Sequence, residues 1–291
     1  MRTEQQMFEL IFEIAKQDDR IEAVLLNGSR ANPNSVKDQF QDYDIIFATR
    51  HINDFVEDKE WHKQFGEILI MQEPDFEEAK KQYKVYGYLM QFQDMTRIDL
   101  RLMQPDSILE YIDDAYSKVL LDKTESYQSF NFNKEEMYVT KVATQYEFEK
   151  IVNEIYWVST YVIKGVARKD FMYAEYMLAN PVKNAFIELI KQYILSKKDL
   201  EEYNFAKVNQ HILEHEEIKD SLIKISCNDS LESIEENIKL IVEQTNELAT
   251  KIALKQDIKY NKAEYDAVKF YMVKILKTKD DSHVQYYRKL Y

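Results

Sequence analysis

The feature that most constrains this chain is a buried strand that ends at a glycine-serine pair. The apolar run Ile21–Leu26 predicts a strand, and Gly28-Ser29 breaks it. Glycine permits an unusual backbone turn at this point. Successive N–H groups and the Ser29 hydroxyl can therefore hold an anion such as a phosphate.

Two aspartates stand at the start of the next apolar run. Asp42 and Asp44 precede and enter the segment Ile45–Ala48, which predicts a second strand. Because side chains alternate along a strand, the two carboxylates point to the same side. Carboxylates beside a phosphate-binding turn suit Mg²⁺ ions that carry a nucleoside triphosphate. Asp-x-Asp is a common pattern, and taken alone the pair could also be a solvated strand edge.

A third strand favours the metal-binding interpretation. The segment Arg97–Met103 alternates strictly between polar and apolar residues, which places Asp99 on the polar face with Arg97 and Arg101. A Gly-Ser turn, an Asp-x-Asp pair and a later strand-borne aspartate together resemble the signature of the nucleotidyltransferase fold shared with DNA polymerase β. Asp99 is then a metal ligand or a proton acceptor, and the alternative is a structural ion pair with its neighbouring arginines.

The pattern of the chain predicts an α+β protein with two domains. Residues 1–134 combine a mixed sheet with flanking helices, and residues 135–291 form an all-helical domain for substrate binding. In the first half, Asp54–Gln64 predicts a polar surface helix. In the second half, Lys164-Gly165 and Asn180-Pro181 predict helix breaks.

Composition excludes several classes of protein. The 291 residues include 45% hydrophobic and 31% charged residues, which is typical of a globular protein. No apolar run approaches the ~20 residues that span a bilayer, and no signal-peptide core is visible, so we expect a cytoplasmic protein with no membrane partner. The single cysteine excludes an intramolecular disulfide. The net charge of −13 disfavours a nucleic-acid surface and suits a cationic small-molecule substrate.

A second group of polar residues lies on the predicted helix Asn153–Gly165. Lys164 lies at the carboxyl end of this helix, where a cation is favourable to the helix dipole. The same lysine is also suited to contact triphosphate oxygens as a point charge. Spacing alone leaves both interpretations open.

The sequence resembles the aminoglycoside 6-adenylyltransferases, the streptomycin-modifying nucleotidyltransferases. Five segments carry the resemblance, and these are Asn27–Arg30, Phe40–Ile45, Arg97–Leu100, Lys118–Lys123 and Asn153–Gly165. The likeness covers nearly the whole chain, strongly to about Arg168 and loosely beyond it.

The resemblance implies a reaction and a role for each matching residue. The implied reaction transfers AMP from ATP to a hydroxyl of an aminoglycoside, with streptomycin as the expected acceptor, Mg²⁺ as the metal and antibiotic resistance as the consequence. The implied metal-binding and catalytic residues are Asp42, Asp44 and Asp99. The implied ATP contacts are Gly28, Ser29, Arg30 and Lys164. Glu149 and Glu154 are candidates for the cationic groups of the drug by charge and position.

Other functions remain open at this stage. One is a nucleotidyltransferase that modifies a protein or RNA, which the acidic charge disfavours for RNA. Another is a catalytically silent nucleotide-binding homologue, which the intact set of three aspartates disfavours. The segment His211–His215 matches a zinc-peptidase pattern, but its charged flanks favour a solvated helix. The sequence does not indicate an oligomeric state.

Overall fold

A computed structural model describes residues 1–33, 35, 37–77, 82–112, 116–127, 134–205, 212 and 215–278. The chain divides into two compact units, Met1–Met137 and Tyr138–Tyr291. In the part of the chain that the structure describes, no helix is both long and apolar enough to cross a membrane.

The first unit is built on a six-stranded sheet. Its strands are β1 (Ala23–Asn27), β2 (Tyr43–Ala48), β3 (Ile68–Gln72), β4 (Val85–Phe92), β5 (Arg97–Met103) and β6 (Ser117–Asp122). Their order across the sheet is β3-β4-β5-β2-β1-β6. Strands β2 and β5 are parallel, and the remaining neighbours are antiparallel. The predicted mixed sheet is therefore confirmed.

Short and medium helices accompany this sheet. They are α1 (Glu4–Gln17), α2 (Gly28–Ala31), α3 (Ile52–Glu57) and α4 (Ile108–Tyr111). Helix α1 begins at a capping box in which the Thr3 hydroxyl and the Gln6 side chain satisfy each other's backbone N–H groups. Its apolar face is buried against the sheet, and this packing provides most of the stability of the helix.

Alternation along the strands divides the apolar residues of the first unit between two cores. Ile45 and Phe47 join the larger core with α1, whereas Ile46 joins a smaller cluster that includes Ile108 of α4. Because Asp44 alternates with Ile45 on β2, its side chain lies on the face of the smaller cluster. This face carries the polar residues described below.

The predicted polar surface helix over Asp54–Gln64 is wrong. Helix α3 ends at Glu57, and a 3-10 turn covers Trp61–Phe65. Trp61 is only 4% exposed, and its ring centroid lies 4.5 Å from that of Phe55. Burial of these large aromatic rings in the core outweighs the polar residues between them.

The second unit is mainly helical. Its helices are α5 (Gln145–Ala167), α6 (Phe171–Met177), α7 (Lys183–Lys198), α8 (Glu216–Lys224), α9 (Leu231–Lys255) and α10 (Lys262–Leu276). Helix α5 packs against α6, α7, α9 and α10 and so forms the centre of this unit. A short antiparallel pair, β7 (Val139–Lys141) and β8 (Glu202–Asn204), adds a two-stranded sheet that the sequence analysis did not predict.

The predicted helix break at Asn180-Pro181 is confirmed, because it separates α6 from α7, whereas the break predicted at Lys164-Gly165 lies inside α5. Helix α5 continues through Gly165 to Ala167, and Asn180-Pro181 lies in a π-helical turn between α6 and α7. A Cβ atom at Gly165 would lie 2.9 Å from the Cβ atom of Ala174, which is closer than real Cβ atoms approach one another. Glycine is therefore required here for the close packing of α5 on α6.

Candidate active site

A row of polar side chains crosses four neighbouring strands of the first unit. The strand register pairs Asn27 of β1 with Asp44 of β2 and with Ser117 of β6. Asp44 is in turn paired with Asp99 of β5. Residues paired in register point to the same face, so the four side chains lie side by side. Sequence alternation predicts the faces of the two aspartates, but the pairing of strands brings Asn27 and Ser117 into the row.

Arg97 lies between two of the three predicted carboxylates. Its Nε atom donates to Oδ1 of Asp99 at 2.7 Å, and its Nη2 atom donates to Oδ2 at 2.8 Å. Its Nη1 atom lies 3.6 Å from Oδ2 of Asp42. The bidentate contact fixes the guanidinium to Asp99 and leaves one edge turned toward Asp42.

The charged side chains of Asp42, Arg97 and Asp99 shift the pKa values of Asp42 and Arg97. Burial raises the pKa of the Asp42 carboxyl, and the attraction of Arg97 opposes this shift without cancelling it. The carboxylate of Asp99 raises the pKa of Asp42 further. The hydrogen bonds to Asp99 raise the pKa of the Arg97 guanidinium. The cluster therefore stabilises positive charge between its carboxylates.

The Gly-Ser turn has the geometry that the sequence predicts. Gly28 has a φ of 70° and begins the short helix α2, and its N–H donates to the carbonyl of Tyr116 at 3.1 Å. The Ser29 hydroxyl accepts a hydrogen bond of 3.2 Å from Nε2 of Gln41. Because the Gly28 N–H is already paired, donation to a phosphate at this turn would fall to the Ser29 N–H and hydroxyl.

Arg30 holds the segment that carries Asp42. Its Nε and Nη2 atoms donate to the carbonyls of Asp42 and Gln41, each at 2.9 Å. The guanidinium also stacks 3.8 Å from the ring centroid of Tyr43, and its side chain is only 9% exposed. These contacts give Arg30 a role in positioning Asp42, and its predicted contact with ATP stays a prediction.

The donor set fits a hard divalent cation. Asp44 and Asp99 lie on strands that are about 4.8 Å apart, and carboxylate oxygens are the ligands that Mg²⁺ prefers. Over the described ranges, no three His, Cys, Asp or Glu side chains are grouped closely enough to hold a metal ion. Because Arg97 lies between Asp42 and Asp99, binding of one metal by all three carboxylates requires its guanidinium to move.

Lys164 lines an aromatic cavity in the second unit. The cavity has a volume of about 520 Å³ and is formed by α5 and α10. The Lys164 ammonium lies 4.4 Å from the ring centroid of Tyr161, which forms an edge contact with Trp157. Trp157 is 58% exposed, which is unusual for so large an apolar side chain. The sequence analysis did not assign these rings to the site, although Trp157 and Lys164 share a helical face.

The two predicted drug-binding glutamates lie on different sides of α5. Glu154 lines a second cavity of about 570 Å³, which also contains Glu147 and Glu188. Glu149 is exposed and accepts a hydrogen bond of 2.7 Å from Gln145. The structure therefore does not bring Glu149 and Glu154 together.

Only part of the zinc-peptidase pattern can be placed. His211, Leu213 and Glu214 lie outside the described residues. His215 is buried, and its Nδ1 atom lies 3.4 Å from Nζ of Lys197.

The mixed sheet, the Gly-Ser turn and the strand-borne aspartates define a nucleotidyltransferase. Comparison with known families gives a more specific assignment, because the family model for streptomycin adenylyltransferase matches residues 1–275. The chain therefore belongs to the streptomycin adenylyltransferase family.

Two relatives support the same assignment, and a solved structure is also similar to the chain. An aminoglycoside 6-adenylyltransferase from Campylobacter jejuni is 32% identical over 267 residues, which cover 89% of this chain and 91% of the relative. One from Bacillus subtilis (strain 168) is 34% identical over 211 residues, which cover 71% of this chain and 73% of the relative. A solved structure of an aminoglycoside 6-adenyltransferase from Bacillus subtilis aligns with a TM-score of 0.46 at 24% identity, covering 96% of this chain and 100% of that chain.

Proposed function

We propose that the protein transfers AMP from ATP to a hydroxyl of an aminoglycoside and releases pyrophosphate. The observation that carries the proposal is the in-register pair Asp44 and Asp99, with Asp42 before it and the Gly28-Ser29 turn on the next strand. Relatives over most of the chain bear the name aminoglycoside 6-adenylyltransferase, which indicates the acceptor class. The name of the family model favours streptomycin within that class.

In this proposal, different residues of the first unit bind the metal ion and the phosphates of the nucleotide. Asp42, Asp44 and Asp99 would hold Mg²⁺, and the Ser29 N–H and hydroxyl in the Gly28-Ser29 turn would hold phosphate oxygens. Bound Mg²⁺ would neutralise the triphosphate and lower the pKa of the attacking hydroxyl. Asp99 then either completes the metal site or accepts the hydroxyl proton.

The second unit supplies the remaining contacts in this proposal. Lys164 provides a positive charge for the triphosphate, beside aromatic rings that can cover a nucleobase. Glu154 and Glu149 are both exposed, but only Glu154 lines a cavity, where Glu147 and Glu188 offer further carboxylates beside Lys141 and Lys150. We therefore favour Glu154 over Glu149 for the cationic groups of an aminoglycoside. Residues 135–291 would thus form a substrate-binding domain.

The biological setting follows from the chemistry. ATP is a cytoplasmic nucleotide, so we place the reaction in the cytoplasm, where adenylylation would inactivate the drug and confer resistance. The net charge of −13 favours small cationic substrates over nucleic acid.

A pyrophosphate-release assay tests the proposal. The purified protein with Mg²⁺ is presented with a panel of aminoglycosides and of nucleoside triphosphates, and Asp44→Asn serves as the inactive control. We expect release with streptomycin and ATP, and a product that is heavier than the drug by one adenylyl group. Release that needs a protein or RNA acceptor, or no release with any aminoglycoside, contradicts the proposal.

A further inference from the structure

Asn27 carries a buried hydrogen-bond acceptor that has no partner. The residue is 5% exposed and lies in the polar row between Asp44 and Ser117. Its Oδ1 atom is almost inaccessible to solvent in the ligand-free protein and accepts no hydrogen bond from the described part of the chain. Buried polar atoms are almost always paired in folded proteins, so an unpaired one requires an explanation, which can be a bound water, an ion or a functional role.

Helix capping does not account for asparagine at this position. Asn27 is the N-cap residue of α2, where an asparagine side chain ordinarily accepts a hydrogen bond from the N–H of the second or third helical residue. Its side chain makes no such bond in this structure. The carboxamide oxygen therefore has neither a capping role nor another partner among the described residues.

The surroundings of Asn27 indicate what the missing donor is. Asn27 is paired in register with Asp44, so the two Cβ atoms lie about 4.5–5.5 Å apart. Mg²⁺ held by one or two carboxylates keeps several of its water ligands. Those waters donate hydrogen bonds to acceptors just outside the metal's ligands, and a carboxamide oxygen beside Asp44 is an acceptor of this kind.

We propose that Asn27 is a positioning residue whose carboxamide oxygen accepts a hydrogen bond from a water on the metal ion held by Asp44. This inference rests on the proposed function in one respect, because it needs the carboxylates to bind a divalent metal. It implies that the ligand-free protein tolerates an unpaired buried oxygen, which reduces its stability, for the sake of metal binding.

The test measures metal affinity directly, with Mn²⁺ as the probe and an unreactive ATP analogue present. Asn27→Leu removes the acceptor, so Mn²⁺ affinity should fall about 10- to 100-fold. The ligand-free variant should melt at the wild-type temperature or above it, because the unpaired oxygen is gone. Asn27→Ala, which introduces no larger side chain, should lose Mn²⁺ affinity in the same way.

Asn27→Asp gives the opposite combination of results. It keeps an acceptor oxygen, so Mn²⁺ affinity should be retained. The ligand-free variant should melt at a lower temperature, because a buried carboxylate is added beside Asp44. Mn²⁺ with the nucleotide analogue should restore the lost stability. A purely structural role for Asn27 would instead make stability and metal affinity fall together.

Thr245→Val is the matched control. Thr245 is fully buried and also has an unpartnered side-chain oxygen, but it lies on α9 of the second unit, outside the polar row. Removal of its hydroxyl should leave Mn²⁺ affinity unchanged. Wild-type affinity in both Asn27→Leu and Asn27→Ala would overturn the inference and leave the proposed function intact. Failure of the wild-type protein to bind Mn²⁺ would overturn both.

Discussion

The arrangement of Arg97 and Asp99 allows two roles for the aspartate, and they differ in what a single substitution does. As a structural partner of Arg97 in a partly exposed ion pair, Asp99 would contribute only about 0–1 kcal/mol to the free energy of unfolding. As a metal ligand or proton acceptor, Asp99 is required for turnover. The position of Asp99 in register with Asp44 favours the second role.

We predict that Asp44→Asn removes most of the turnover while the fold is retained. An amide cannot neutralise a metal ion, and loss of one such electrostatic contact commonly lowers kcat on the order of 10²–10³-fold. Asp106→Asn is the control, because Asp106 is exposed and pairs with Arg50 away from the polar row. Steady-state kinetics and a melting curve measure both variants. Near wild-type turnover in Asp44→Asn would show that the site is elsewhere.

Asp99→Asn is expected to abolish transfer while the metal–nucleotide complex still binds, because Asp42 and Asp44 suffice to hold it. Arg97→Gln breaks the same ion pair but leaves the carboxylate, and it should retain clearly more turnover than Asp99→Asn. Calorimetry with an unreactive ATP analogue and Mg²⁺ measures binding. Joint loss of binding and turnover would mean one inseparable three-carboxylate site, and equal turnover in both variants would support the structural ion pair.

Asp94 makes the stability of the first unit sensitive to acidification. Burial opposes its ionisation, but hydrogen bonds from Thr96 and Arg2 outweigh burial and hold the pKa of Asp94 well below its usual 3.8. A carboxyl whose pKa is lower in the folded state stabilises the protein above its unfolded pKa. That stabilisation is lost as the pH falls through the folded value.

We therefore expect Asp94→Asn to flatten the pH dependence of the free energy of unfolding below about pH 4. The variant should be less stable than the wild type near neutral pH, and the difference should shrink on acidification. Denaturant unfolding at a series of pH values measures this. Parallel curves for the two proteins would show that Asp94 does not contribute to the acid sensitivity.

At the scale of elements, helices α5 and α6 pack so closely that no side chain fits at Gly165. Gly165→Ala should destabilise the second unit by about 1–3 kcal/mol, because the new methyl group would overlap Ala174. Helix propensity alone predicts the opposite sign, since alanine is favoured over glycine within a helix by about 1 kcal/mol. The double variant with Ala174→Gly should recover part of the loss. Unfolding curves that show no loss in Gly165→Ala would refute the packing argument.

Elements defined by local alternation could be predicted from the sequence, whereas features set by tertiary contact could not. The strands that carry Asp44 and Asp99 follow from alternation within a few residues. The prediction of a polar surface helix was wrong because Trp61 packs into a core formed by strands that are distant in sequence, such as the strand of Tyr88. Glycine at Gly165 signals a helix end in sequence terms, and only the approach of Ala174 explains it inside a helix.

The same distinction applies to the candidate site. The three aspartates and the Gly-Ser turn are visible as spaced motifs, because each stands beside its own strand. Membership of Asn27 and Ser117 in the polar row depends on the antiparallel pairing of β1 with both β2 and β6. Strand pairing is a long-range property, and no local periodicity reports it.

At the scale of the whole molecule, an acidic protein attracts a polycationic drug before any specific contact forms. The net charge of −13 should raise the local concentration of such a ligand, and dissolved salt screens this attraction over about 8–10 Å. We expect streptomycin binding to weaken as ionic strength rises, with ATP binding much less affected in that direction.

Variants of two glutamates on helix α5 can distinguish a general electrostatic attraction for the drug from a specific contact with it. Glu154→Lys and Glu149→Lys change the net charge equally, and both residues are exposed, but only Glu154 lines the cavity that contains Glu147 and Glu188. Glu154→Lys should weaken streptomycin binding by about tenfold, which corresponds to about 1.4 kcal/mol, because the new ammonium group replaces an attraction for the drug by a repulsion. Glu149→Lys should reproduce only the small loss that the change in net charge causes. Calorimetric titration of both variants with streptomycin and with ATP at two salt concentrations measures the difference. Equal losses in the two variants would leave the attraction general and remove Glu154 from the acceptor site.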